Sequence, residues 1–138
     1  MKHLRRDEGN VAVEFIGIVV ALMVPLTFIA GAVAGVANST IVQEAAARAA
    51  TRAFVVAPNS QIARTRAHAI ASTVLRDAGI SSSQVQTVIT CSATPCLTPG
   101  EVVTVTIMRS YVVTLGGSLI SRKMLISARD SKMVDVGT

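Results

Sequence analysis

The first residue with a chemical claim on attention is an acid inside an apolar run. No charged residue lies between Glu14 and Glu44, and Phe15 to Ala37 reads FIGIVVALMVPLTFIAGAVAGVA. A carboxylate at depth in a bilayer costs on the order of a few kcal/mol, so it needs a partner or a task. Five residues before it stands Gly9, which closes a charged leader containing Lys2, Arg5, Arg6, Asp7 and Glu8. The next candidates are Cys91 and Cys96 in CSATPC. Outside the cytoplasm, two cysteines this close are expected to pair as a disulfide. The competing reading is a metal or redox pair. The spacing is not C-x-x-C, however, and the only histidines are His3 and His68. No Ser/His/Asp grouping and no phosphate-binding glycine loop after a strand is visible, and Gly116–Gly117 reads as a hairpin turn. These residues predict no enzyme, no metal and no cofactor. The formal charge is +5, but the basic residues are spread along the chain without interleaved aromatics for base stacking. No nucleic-acid partner is expected.

The elements that must position these residues fall into three stretches. Residues 1–9 form the leader, 10–37 a transmembrane helix and 38–138 an extracytoplasmic domain. A helix rises about 1.5 Å per residue, so about 20 residues cross a hydrocarbon core of about 30 Å. A buried helix is the competing reading, but a chain of 138 residues has little to cover such a helix on all sides. The basic leader predicts a cytoplasmic N-terminus and an outer C-terminal domain. Gly31 and Gly35 form G-x-x-x-G, a spacing that lets helices approach closely. Pro25 removes a backbone donor and is expected to kink or loosen the helix.

Beyond the span the Ala-rich stretch with Glu44, Arg48 and Arg52 on one face stays helical, giving one long helix over residues 11–57. Pro58 and Asn59 break it. Ser60 is the expected cap of a second helix, with Ala63, Ala67, Ile70 and Val74 on its apolar stripe, Arg64 and Arg76 off it, and Gly79 at its end. From residue 84 the period becomes two. Val85, Thr87, Ile89 and Cys91 share one face, as do Val103, Val105 and Ile107, with a Thr-rich solvated face opposite. SLISRKMLISAR reads as a further strand, and residues 130–138 as an extended or disordered tail. The predicted class is α+β: a long N-terminal transmembrane helix continuing into an Ala-rich helical region, then a small antiparallel sheet of about three or four strands.

Gly9 followed by four residues and then Glu14-Phe15 at the head of a hydrophobic helix resembles the processing site of type IV prepilins. The short leader, the sequence GNVAVEF and the length of the domain after the helix are most similar to TadE-like minor pilins of the tight-adherence (Flp, type IVc) pilus. The paired cysteines, the VVTVTI strand and Val134-Asp135 resemble actinobacterial members. Pro25 and several glycines depart from the Leu-richer helices of that family. The resemblance implies a pilin-like fold, cleavage between Gly9 and Asn10 by a membrane-embedded prepilin peptidase, and Glu14 as the fifth mature residue. It implies as partners the membrane, the major Flp pilin, other minor pilins and the Tad assembly platform, with incorporation in surface pili. Cleavage exposes an ammonium at Asn10, which Glu14 of a neighbouring helix can meet. Such a pair fixes register more than it stabilises. Alternatively, Glu14 snorkels toward the headgroups. Two other readings of the N-terminus also stay open: an ordinary secretory signal cut near Ala32-Val33-Ala34, and an uncleaved single-pass envelope protein with a binding domain.

Overall fold

The computed structural model describes residues 8–115 and 120–135. Residues 1–7 of the leader, the Gly116–Gly117 turn and residues 136–138 of the tail lie outside the described residues.

Helix α1 runs unbroken over Glu8–Val55, 48 residues, or about 72 Å at about 1.5 Å per residue. Pro25 lies inside it. The helical state continues through the proline, and Thr27 donates its hydroxyl to the Val24 carbonyl at 2.8 Å. The helix has two halves with different surroundings. From Val11 to Ile29 every residue is exposed. From Ser39 onward one face is buried, carrying Ser39, Gln43, Ala46, Ala47, Ala50, Thr51 and Phe54. Alanine supplies helix propensity here, and its small side chain lets other elements come close. On the exposed face Arg48 pairs with Glu44 at 3.3 Å, the expected i,i+4 contact.

Helix α2 spans Ser60–Asp77. Its cap is Asn59, one residue before the expected Ser60, because the Asn59 side-chain carbonyl reaches the Ile62 N–H at 2.9 Å. The buried stripe is Ala63, Ala67, Ala71 and Leu75, whereas Ile70 is exposed. Ala63 and Ala67 lie on the buried stripe as expected, but its second half runs one position later than Ile70 and Val74, at Ala71 and Leu75. Close packing of α2 on the Ala face of α1 favours the small Ala71 over Ile70 there. Gly79 follows the helix at φ 75°, a left-handed conformation suited to glycine.

Three strands form one antiparallel sheet in the order β1-β2-β3, with β1 at Val85–Cys91, β2 at Val102–Leu115 and β3 at Ile120–Met133. Residues 130–133 of the expected tail therefore belong to β3. Pairing of β1 with β2 runs from Cys91↔Val103 to Val85↔Arg109. Pairing of β2 with β3 runs further, from Val102↔Met133 to Leu115↔Ile120. Below Arg109 the sheet is thus reduced to a two-stranded arm. Val103, Val105 and Ile107 are fully buried with Ile126 and Ala128 nearly so, and the three β2 residues close the core against Phe54, Ala50 and Leu75. On the opposite face the Thr104 and Ser131 hydroxyls hydrogen-bond at 2.8 Å.

Candidate functional site

The chemistry-bearing residues of the N-terminus are carried by the exposed half of α1. Gly9 and Asn10 lie in its first turn, within the helix that begins at Glu8. Glu14 follows Asn10 by four residues, so the two share a helix face one turn apart. Phe15 is 66 % exposed, and Val11, Val13, Ile16 and Leu22 are more than half exposed as well. An apolar surface of this extent is too large for a water-facing monomer. One helix among the described residues is long and apolar enough to cross a membrane, and none of its apolar window is covered by the rest of the chain. This surface is compatible with membrane association. It places Glu14 on a helix that the protein itself leaves bare.

Gly31 and Gly35 have different surroundings. A Cβ on Gly31 meets nothing within 4 Å, whereas a Cβ on Gly35 would come within 2.5 Å of the Tyr111 hydroxyl. Gly35 therefore leaves room for the tip of the Tyr111 side chain at the helix surface, and of the two only Gly31 leaves its side of the helix open. One turn above, Arg109 reaches Ser39 Oγ at 3.4 Å and Gln84 Oε1 at 3.2 Å. Its guanidinium carbon stands 5.6 Å from the Tyr111 ring centroid. Gln43 donates to the same Ser39 Oγ at 3.1 Å. Gln43 Oε1 and Arg109 Nε are buried without partners. Helix and sheet thus meet through a polar cluster that is only partly satisfied. Reading the chain for catalytic groups passes over it. Its signal is the polar pair Ser39 and Gln43, at i,i+4 on an otherwise Ala-rich face.

Cys91 and Cys96 are joined, with their Cα atoms 5.2 Å apart. The bridge ties the last residue of β1 to the loop that returns to β2. That loop is further held by Ser92, whose hydroxyl donates to Glu101 Oε2 at 2.6 Å and accepts from the Val102 N–H at 2.8 Å. From α2, Arg64 reaches Cys96 Sγ at 3.4 Å. The cysteines therefore serve loop closure. His68 lies on α2, and no group of three or more His, Cys, Asp or Glu residues suited to a metal occurs among the described residues. Val134, singled out in the tail, is buried. It donates to the Glu101 carbonyl at 2.8 Å and accepts from the Gly100 N–H at 3.0 Å.

Comparison of the chain with protein-family models, with curated proteins and with solved structures yields no match.

Proposed function

We propose that this chain is a TadE-like minor pilin that takes part in assembling a tight-adherence pilus. In this reading prepilin peptidase cuts between Gly9 and Asn10. α1 anchors the mature subunit with its N-terminus at the cytoplasmic side, and the α+β domain stands outside. The observation that carries the reading is a bare apolar helix with one carboxylate in its second turn, Glu14, continuing without a break into the domain that it must present. A helix left bare over Val11 to Ile29 is suited to lipid and to the helices of other subunits. Within such a bundle Glu14 meets the new ammonium of a neighbour's Asn10. A subunit shifted along the bundle leaves both charges buried and unpaired, at a cost of several kcal/mol, so the pair sets register.

Glu14→Gln and Glu14→Leu test this in cells that express the partner pilins. Both variants should enter the membrane and be processed, as seen by gel mobility. Both should lose cross-linking to partner subunits. Normal cross-linking in both variants would leave Glu14 as an interfacial residue without a role in assembly and would contradict the reading.

A further inference from the structure

The two-stranded arm has a course relative to α1 that three contacts define. The Thr51 hydroxyl donates to the Asp130 carbonyl at 3.4 Å, Arg109 meets Ser39, and Tyr111 sits against Gly35. Moving along β2 from Val105, the partner of Asp130, to Tyr111 therefore means descending α1 from residue 51 to residue 35. The descent continues. Tyr111, Val112, Val113 and Thr114 border an open cleft whose other wall is Thr27, Phe28, Gly31 and Ala32. The arm thus hangs from the domain alongside the bare half of the helix.

This course collides with the bilayer unless the helix sits at one particular depth. The uncharged part of the span, from Phe15 to Ala37, together with the turn before it is longer than the roughly 20 residues that a span needs, so its composition leaves the depth free. The arm removes that freedom. Ser110–Leu115 pair with β3 alone, because β1 ends opposite Arg109. Their second edge presents unpaired backbone groups, and lipid-exposed sheet edges are not tolerated in hydrocarbon. The arm must stop at the headgroups. Counting about 17–20 residues from Val11 brings the outer end of the hydrocarbon to between about Thr27 and Ala30, at the lower wall of the cleft. The composition of the arm suits that height. Tyr111 is an interfacial aromatic, Val112, Met124 and Leu125 are 48 %, 48 % and 70 % exposed, and Arg122 and Lys123 are exposed cations. Arg122 pairs across the strands with Val113 and Lys123 with Val112, so the two cations lie on opposite faces of the arm at one level. Among the described residues the one ion pair, Arg48–Glu44, involves neither cation.

We propose that the β2–β3 arm rests on the outer leaflet and sets the depth of α1, with Arg122 and Lys123 binding the phosphates of anionic lipid headgroups. The inference rests on α1 being a membrane span. It has the corollary that Glu14 lies within the first turns of the cytoplasmic side of the hydrocarbon.

The test uses the full chain, with its disulfide intact, in vesicles of phosphatidylcholine with or without phosphatidylglycerol. A single environment-sensitive fluorophore is attached at Met23→Cys, Val112→Cys or Thr90→Cys, and nitroxide lipids quench at the headgroup or deep in the acyl chain. The expected pattern is deep quenching at position 23, headgroup quenching at position 112 and none at position 90. In vesicles with phosphatidylglycerol, Arg122→Gln/Lys123→Gln should reduce the quenching at 112 while leaving that at 23 in place. Quenching at 23 with none at 112 would keep the anchor and overturn the resting arm. Deep quenching at 112 would overturn the depth stop. Cross-linking of two copies through position 112 without headgroup quenching would assign the arm to a second copy and overturn the lipid contact. Unchanged quenching in the charge-neutral variant would overturn the phosphate assignment. No quenching at 23 would remove the span itself, and the inference with it.

Discussion

Single residues divide here into those that the chain satisfies internally and those that it leaves open. Glu14 and Phe15 are open, and no contact within the described residues accounts for an acid on an apolar helix. Cys91 and Cys96 are satisfied, and their pairing was legible from two nearby cysteines in a segment expected outside the cytoplasm. In the chain-entropy picture, closing so short a loop stabilises by about 2 kcal/mol. Cys91→Ser/Cys96→Ser should therefore lower unfolding stability by about that amount, read by chemical denaturation of the detergent-solubilised protein. A stability equal to the parent would show that Ser92 and Glu101 hold the loop without the bridge. Gln43 is a different case. It is fully buried, and one end of its amide has no partner. Leaving a buried polar atom unpaired costs about 1–3 kcal/mol. Gln43→Leu removes that cost and roughly keeps the volume, while Ser39 retains Arg109. The variant should unfold at the same or a higher temperature, as followed by circular dichroism. A loss of more than about 1 kcal/mol would mean that the amide does more than fill space.

At the scale of elements, what was legible depended on whether the signal is local. Strand alternation at Val85 to Cys91 and at Val103 to Ile107 is local, and the burial follows it. The end of α2 at Gly79 is local too. The first half of the α2 stripe, Ala63 and Ala67, was placed correctly, and the second half was placed one position early, at Ile70 and Val74 in place of Ala71 and Leu75, because the side of the helix that is buried is decided by the neighbouring helix. The descent of β2–β3 along α1 is a tertiary relation between residues far apart in the chain, so no window of sequence contains it. Gly35 shows this most clearly. In sequence it is half of G-x-x-x-G, but in the fold it faces Tyr111. Gly35→Ala puts a Cβ against the Tyr111 hydroxyl, and because that atom is the far end of a side chain the ring tip must turn aside, with an expected loss of about 1 kcal/mol or less, at the low end for overpacked contacts. Gly31→Ala, with open space around it, should leave domain stability unchanged. Thermal unfolding of the two variants side by side distinguishes them. Equal effects would contradict the placement of the arm.

As a whole, the molecule is a long helix with an unequal distribution of cover. Its upper half is packed by α2 and the sheet, and its lower half is bare from Val11 to Ile29. The fold class and the strand region were readable from periodicity, and the helix break from Pro58 and Asn59. The work that such a shape performs depends on what happens at the N-terminus, where the pilin reading, ordinary secretion and an uncleaved anchor lead to different molecules. A pilin keeps all of the bare helix and loses the leader. A secreted domain loses all of the bare helix. The uncleaved anchor keeps both. The most direct measurement is therefore the N-terminal residue of the membrane-associated protein, determined by mass spectrometry in cells with active prepilin peptidase. The pilin account predicts a mature chain that begins at Asn10. A chain that begins near Gly35, or one that retains Met1, would contradict it.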